Sequence, residues 1–287
     1  HWLEAPLQRG ITLNSASTSI TNSHVSGIKW AATETQAIAG WNGPGPYLIE
    51  NNYVEAAGIN ILFGGAPTAI PDLVPSDITI RRNTLTKRLE WKGQGFAVKN
   101  LFELKNARRV TFTENDCQYS WPEAQTGWAV VLNAFRDGPQ DVVDDVEIGG
   151  NVFRDVGNGI NLRGMESDDT VTRMHRVNIH DNLIENIGAF AGEGKAFQVL
   201  NGTENVQIDH NTVRGQVVTA LVLQSLTNVK HAGLKFTNNL MYVKPGQGQH
   251  RCHSNPIDHG ATQFALKRTR MTFLSYSALL RERVRSS

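Results

Sequence analysis

Lys105, Asn133 and Arg163 recur 28 and 30 residues apart, and each closes a short apolar run: LFELK (101–105), VVLN (130–133) and GINLR (159–163). Within each run apolar and polar residues alternate, as in a strand with one face buried. Phe102 and Leu104 are expected to point inward, with Glu103 and Lys105 outward. Ile160 and Leu162 point inward, with Asn161 and Arg163 outward. One outward column then holds Asn14, Lys105, Asn133, Arg163 and Gln224, and its neighbour holds Thr12, Asn60, Glu103, Asn161 and Gln198. If the strands stack, Lys105, Asn133 and Arg163 span ~10 Å on three successive turns. A row of cations and amides on a flat face suits an acidic polysaccharide.

Two chemistries are open to such a row. A lyase must neutralise a uronate carboxylate and remove the proton beside it. A Lys, an Arg or a bound calcium neutralises, and a Lys with a depressed pKa serves as base. Lys105 suits the base better than Arg163, whose guanidinium holds its proton too tightly. Glu103 stands beside both, as a reacting carboxyl or as an ion-pair partner. A hydrolase needs two carboxyl groups ~5–9.5 Å apart. The columns offer only Glu103, so loop acids would have to supply the second: Asp137, Asp141, Asp144 and Asp145, or Glu166, Asp168 and Asp169. The same clusters carry oxygen ligands for calcium, with Asp168 and Asp169 as candidates, although their spacing matches no defined calcium loop.

Other residues invite two readings each. Trp41 and Asn42, in AGWNGPGP, sit at a Gly/Pro corner where an aromatic ring either stacks on a sugar or closes the corner. His180 and Asp209, Asp181 and His210, and Arg82 and Glu114 share slots on adjacent repeats and are expected to form cross-turn pairs. No G-x-S-x-G elbow accompanies the histidines. His250, Cys252, His253 and His259 are of metal-ligating type at irregular spacing.

What must position these groups is a repeat. An apolar–x–x–Asn–x–apolar frame returns as IENNYV, IRRNTL, FTENDC, IGGNVF, IHDNLI, IDHNTV and FTNNLM. Its asparagines are Asn52, Asn83, Asn115, Asn151, Asn182, Asn211 and Asn239, with Ser23 in the equivalent slot of ITNSHV. The steps run from 28 to 36 residues. A period in this range marks a solenoid whose units bury their apolar faces only by stacking. The Asn slot is expected at a corner, where its amide bonds the next amide up the stack and the side chain tolerates left-handed backbone.

Through QAIAGWNGPGPYLIENNYVEAAG (36–58) and NLFELKNARRV (100–110) the chain resembles right-handed parallel β-helix proteins of the pectate-lyase-like superfamily. Among these it is most similar to uncharacterised bacterial right-handed β-helix region proteins. The resemblance covers roughly residues 10–243. It implies an all-β, single-stranded right-handed parallel β-helix of about eight turns, with glycan bound along a sheet face between loop walls. The activity expected is a carbohydrate-active enzyme on an acidic polysaccharide, lyase before glycoside hydrolase. A non-catalytic glycan-binding or surface-structural solenoid is the alternative. The proposed substrate-binding set is Asn133, Asn161, Trp41, Asn42, Asn60 and Gln198, around Lys105, Arg163 and Glu103. The resemblance also implies a secreted or periplasmic protein.

Composition sets bounds. The 287 residues, 40% hydrophobic, suffice for a large core. A net charge of +1 gives no global field favouring nucleic acid, and no apolar run reaches the ~20 residues of a membrane span. Oligomeric state is not legible. Residues 1–243 are expected to form the solenoid and 244–287 an irregular basic segment or cap. Capping before residue 10 is slight, so further upstream sequence is expected. Cys117 falls on an apolar slot as a core thiol; Cys252 lies in the basic segment. GAPTAIPDLVPSD (65–77) and TKRLEWKGQGFAVKN (86–100) lengthen two connections.

Overall fold

The structure, a computed structural model, describes residues 6–134, 141–166, 174–226 and 229–242, and the backbone of Thr272–Phe273. It is nearly all strand, in three parallel sheets, with no α-helix among the described residues. Sheet A holds β1 (Arg9–Thr12), β4 (Gln36–Gly40), β7 (Ile59–Phe63), β10 (Phe102–Leu104), β13 (Trp128–Asn133), β16 (Asn158–Arg163), β19 (Lys195–Leu200) and β22 (Thr219–Gln224), in that order. Sheet B holds β2 (Ala16–Thr21), β5 (Gly45–Glu50), β8 (Ser76–Arg81), β11 (Ala107–Thr113), β14 (Val143–Gly149), β17 (His175–His180), β20 (Glu204–Asp209) and β23 (Lys235–Thr237). Sheet C runs through β3 (His24–Ile28), β6 (Tyr53–Ala56), β9 (Thr84–Thr86), β12 (Asp116–Ser120), β15 (Val152–Val156), β18 (Leu183–Ile187), β21 (Thr212–Gly215) and β24 (Leu240–Met241) to β25 (Thr272–Phe273). Within the repeats, every third strand enters the same sheet, so each unit contributes one strand to each. That is a parallel β-strand solenoid.

Alternation supplies the core. Val110 and Phe112 of β11, Val146 and Ile148 of β14, and Val177 and Ile179 of β17 pair in register and are all buried. The Phe102 and Phe112 rings stack at 4.3 Å, joining sheets A and B. Cys117 of β12 is a free thiol buried in this column, and burial pushes its pKa well up. Cys252 lies outside the described residues, as does the basic segment apart from the Thr272–Phe273 backbone.

The corner between sheets B and C carries the asparagine ladder. The backbone N–H and Nδ2 of Asn115 both donate to Asn151 Oδ1, at 2.9 and 3.0 Å. Asn151 repeats this on Asn182, and the contact runs from Asn52 up to Asn239. Each Nδ2 also reaches back to a carbonyl of the preceding turn, as from Asn151 to Phe112 O at 2.9 Å. Ser23 is the bottom rung, where its N–H donates to Asn52 Oδ1. One expectation fails in detail. The left-handed residue is the one before each ladder asparagine: Asn22, Asn51, Arg82, Glu114, Gly150, Asp181, His210 and Asn238 all have φ between 50° and 63°. The ladder asparagine itself is buried and leaves the bend to an exposed neighbour.

Asn151→Ala should therefore cost about 3 kcal/mol, because it leaves a buried N–H and a buried carbonyl without partners at ~1–3 kcal/mol each. The urea midpoint of unfolding measures this. A loss below a third of that figure would mean water replaces the rung.

Candidate functional site

The outer face of sheet A is set by register. Thr12, Ala39, Leu62, Glu103, Val131, Asn161, Gln198 and Val222 pair successively from β1 to β22. Thr12, Glu103, Asn161 and Gln198 thus stand where alternation places them. Asn60 does not. Its place in the column belongs to Leu62, and Asn60 is fully buried, donating to Val54 O at 2.9 Å and Thr86 O at 2.7 Å. The close corner at Ala57 and Gly58 turns Asn60 toward the carbonyls of sheet C, so it is a structural amide and not a surface group.

Asn133 pairs with Arg163 on the next turn. Glu166 binds both: Asn133 Nδ2 donates to Oε2 at 3.2 Å, and Arg163 Nη1 donates to Oε1 and Oε2 at 3.1 and 3.0 Å. Asn133 Oδ1 and Arg163 Nε are buried without a partner. Gln198 Nε2 donates to Asn161 Oδ1 at 3.1 Å.

Glu103 is 2% exposed although it points off the sheet. Leu62 and Val131 flank it on either turn, and the connection that ends at Asn100 adds a wall. Asn100 Nδ2 donates to Glu103 Oε2 at 2.8 Å, while Asn100 Oδ1 is buried without a partner. Lys105 Nζ lies 3.7 Å from Glu103 Oε1. Desolvation pushes the Glu103 carboxyl above its ordinary value; Lys105, the Asn100 amide and Lys99 hold the rise back, and Glu34 adds to it. A carboxyl in this setting is poised to hold a proton and pass it on.

Lys87 had no signal in the sequence. It is fully buried, and Nζ lies among five oxygens: Ala56 O at 3.1 Å, Ala57 O at 3.3 Å, Gly58 O at 2.6 Å, Asn60 Oδ1 at 3.0 Å and Asn100 O at 3.2 Å. Burial pushes its pKa down to about 7. The oxygens pull the other way, since they accept from the charged form. Backbone carbonyls contribute most of this cage, and they leave no trace in residue type.

Trp41 packs on Ala39, Ile59 and Leu62, with the Arg9 guanidinium 4.9 Å above its ring. Asn42 Oδ1 accepts from Ala69 N at 2.8 Å. Both residues close the corner. Asp144 and Asp145 belong to β14 of sheet B, not to the face of Asn133 and Arg163, and both are paired with Arg176. Asp141 is buried beside them. Among the described loop acids, Glu166 reaches sheet A. Asp137, Asp168, Asp169, His250, His253 and His259 lie outside the described residues. Among the described residues no three His, Cys, Asp or Glu side chains converge as ligands for an ion.

The cross-turn pairs are partly replaced. Arg82 does meet Glu114, at 3.7 Å. His180 instead bonds Asp181 within its own turn at 2.8 Å and Glu147 at 3.2 Å, and His210 bonds Asp209 at 2.7 Å. Left-handed backbone at Asp181 and His210 brings sequence neighbours together. Burial lowers the His180 pKa, but the two carboxylates outweigh it and the net shift is upward.

No family model, curated protein or solved structure matches the chain.

The raised Glu103 pKa has a definite sign in stability. The folded state binds the proton more tightly than the unfolded chain. Its contribution is complete below the ordinary carboxyl value and is lost as pH rises through the folded value. Urea midpoints from about pH 4 to pH 8 should fall in this window for the wild type and flatten in Glu103→Gln. Equal slopes in the two proteins would place the Glu103 carboxyl in water.

Proposed function

We propose that the outer face of sheet A binds an acidic polysaccharide and cleaves it by β-elimination. The three sheets in this reading close as a right-handed helix of about eight turns, of pectate-lyase-like kind. The observation that carries the reading is a buried carboxyl, Glu103, beside Lys105, on the same sheet face as amide and guanidinium atoms that the protein leaves unpartnered. Buried polar atoms without partners are rare in folded proteins and point to water or ligand. Here they are Asn100 Oδ1, Asn133 Oδ1 and Arg163 Nε.

The chemistry follows from position. Arg163, held by Glu166, balances the uronate carboxylate. In the reactive form the proton shared by the Lys105–Glu103 pair sits on Glu103, and Lys105 Nζ takes the proton from the carbon beside that carboxylate. The electron pair left behind forms a carbon–carbon double bond as the neighbouring C–O bond breaks. The departing oxygen takes a proton from Glu103, which leaves an unsaturated uronate and a new reducing end. Asn133, Asn161 and Gln198 line the path of the chain, with Trp41 and Asn42 shaping its lower end. Calcium is a candidate second neutralising charge. Such a substrate fits a secreted or periplasmic setting.

A second reading is hydrolysis, with Glu103 as acid and Glu166 as base. It is favoured by their unlike environments, one desolvated and one bound to a guanidinium.

Incubation with polyuronates and neutral glycans, with calcium or chelator, separates these readings. The expected result is ultraviolet absorbance of unsaturated products together with reducing ends. Lys105→Ala should lose about 100-fold or more in kcat, the usual worth of a general base. Arg163→Ala should raise KM for polyuronates. Reducing ends without absorbance would select hydrolysis. Binding without either signal would replace catalysis by glycan recognition.

A further inference from the structure

We propose that Lys87 is a positioning residue for Glu103, acting through Asn100. The link is continuous. Nζ of Lys87 donates to Asn100 O, and Asn100 Nδ2 donates to Glu103 Oε2. The remaining Lys87 contacts, to Ala56 O, Ala57 O, Gly58 O and Asn60 Oδ1, fix the ammonium to the corner between sheets C and A.

The geometry explains an otherwise costly choice. A buried ammonium is expensive unless every proton finds an acceptor. Here three N–H donors meet five oxygens, so the charge is fully used. The benefit is that a connection of twelve residues, Arg88 to Lys99, is tied across its base. Lys87 at its start holds the carbonyl of Asn100 at its end. Trp91 and Val98 of that connection pack on Ala57 and Trp121, which holds its outer part. The Asn100 side chain is thereby presented to the carboxyl from a fixed backbone rather than from a free loop.

The groups that face Glu103 bear on how it titrates. Lys105 follows it on the same run, Lys99 precedes Asn100, and Glu34 comes from the connection before β4, where it is itself paired with Lys99. Lys99 shares the Gly58 carbonyl with Lys87, its N–H donating there at 3.2 Å, but the direct hydrogen-bonded route from Lys87 to the Glu103 carboxyl runs through Asn100.

This rests on the reading of Glu103 as the acid only for its functional meaning; the test needs no turnover. The Glu103 carboxyl is followed by carbon-13 NMR across pH in the full chain, with Glu103→Gln to assign the signal. Asn100→Ala should raise the Glu103 pKa by about one pH unit, the equivalent of one charge-assisted hydrogen bond. Lys87→Met should raise it in the same direction. In the Asn100→Ala background the Lys87→Met effect should vanish, because the two act in series. If Lys87→Met does not fold, Lys87→Gln, which keeps two donors for the cage, takes its place in the cycle. An unmoved Glu103 titration in the Lys87 variant would reduce Lys87 to a stability element. An equal shift with and without Asn100 would mean a through-space charge effect. Either result overturns the proposal. Normal titration shifts in a protein that cleaves no glycan would leave the positioning role intact and remove the enzymatic reading.

Discussion

The rest of the structure depends on one hydrogen bond repeated up the stack: a ladder asparagine on one turn accepting from the turn before it. A parallel solenoid must turn its backbone at every corner, and each turn strips amides of their strand partners. Satisfying them with water would open the corner. Satisfying them with a side chain from the adjacent turn closes it and fixes the register at the same time. From Asn83 to Asn239 each ladder oxygen receives a backbone and a side-chain N–H. The left-handed bend beside each rung is delegated to the preceding residue, which is exposed in most turns and varies freely in type, from Asn to Arg, Glu, Asp and His.

With the register fixed, the outer face of sheet A becomes a grid. Side chains on successive strands stand about 4.8 Å apart, and Glu103, Asn161 and Gln198 fall in one column while Asn133 and Arg163 pair in the next. A grid of this kind is rigid, so burial on it is decided by its immediate neighbours. Leu62 and Val131 desolvate Glu103 from the two adjacent turns, and the connection ending in Asn100 desolvates it from above. The resulting carboxyl is unlike the surface acids of sheet B. Asp77 and Asp145 are tied to Arg109 and Arg176, whose guanidinium groups hold those carboxyls low. One fold thus carries carboxyls pushed in opposite directions.

The long connection after β9 is the main departure from the repeat, and it changes the face it borders. Without it, Glu103 would meet solvent as an ordinary polar residue of a sheet. With it, Glu103 is buried, and Lys87 anchors the end of the connection through the Asn100 carbonyl. A single asparagine thus touches both the buried Lys87 amine and the Glu103 carboxyl.

The sequence by itself determined the repeat, the strand alternation, the asparagine ladder and the outward placement of Glu103, Asn133, Asn161, Arg163 and Gln198. These follow from residue type at a fixed period, and a period of two along a strand leaves no freedom in which face a residue takes. Only the tertiary structure decided the rest. Asn60 turns inward because a tight corner breaks the alternation just before it. Trp41 is engaged by Ile59, Leu62 and Arg9, which come from other turns. His180 finds Asp181 and Glu147 instead of Asp209, because left-handed backbone rotates its neighbour. Lys87 is held chiefly by backbone carbonyls, which every residue possesses and no sequence pattern marks. Burial and pairing of this kind depend on what the chain brings back from thirty residues away, and that is a property of the stack rather than of any one turn.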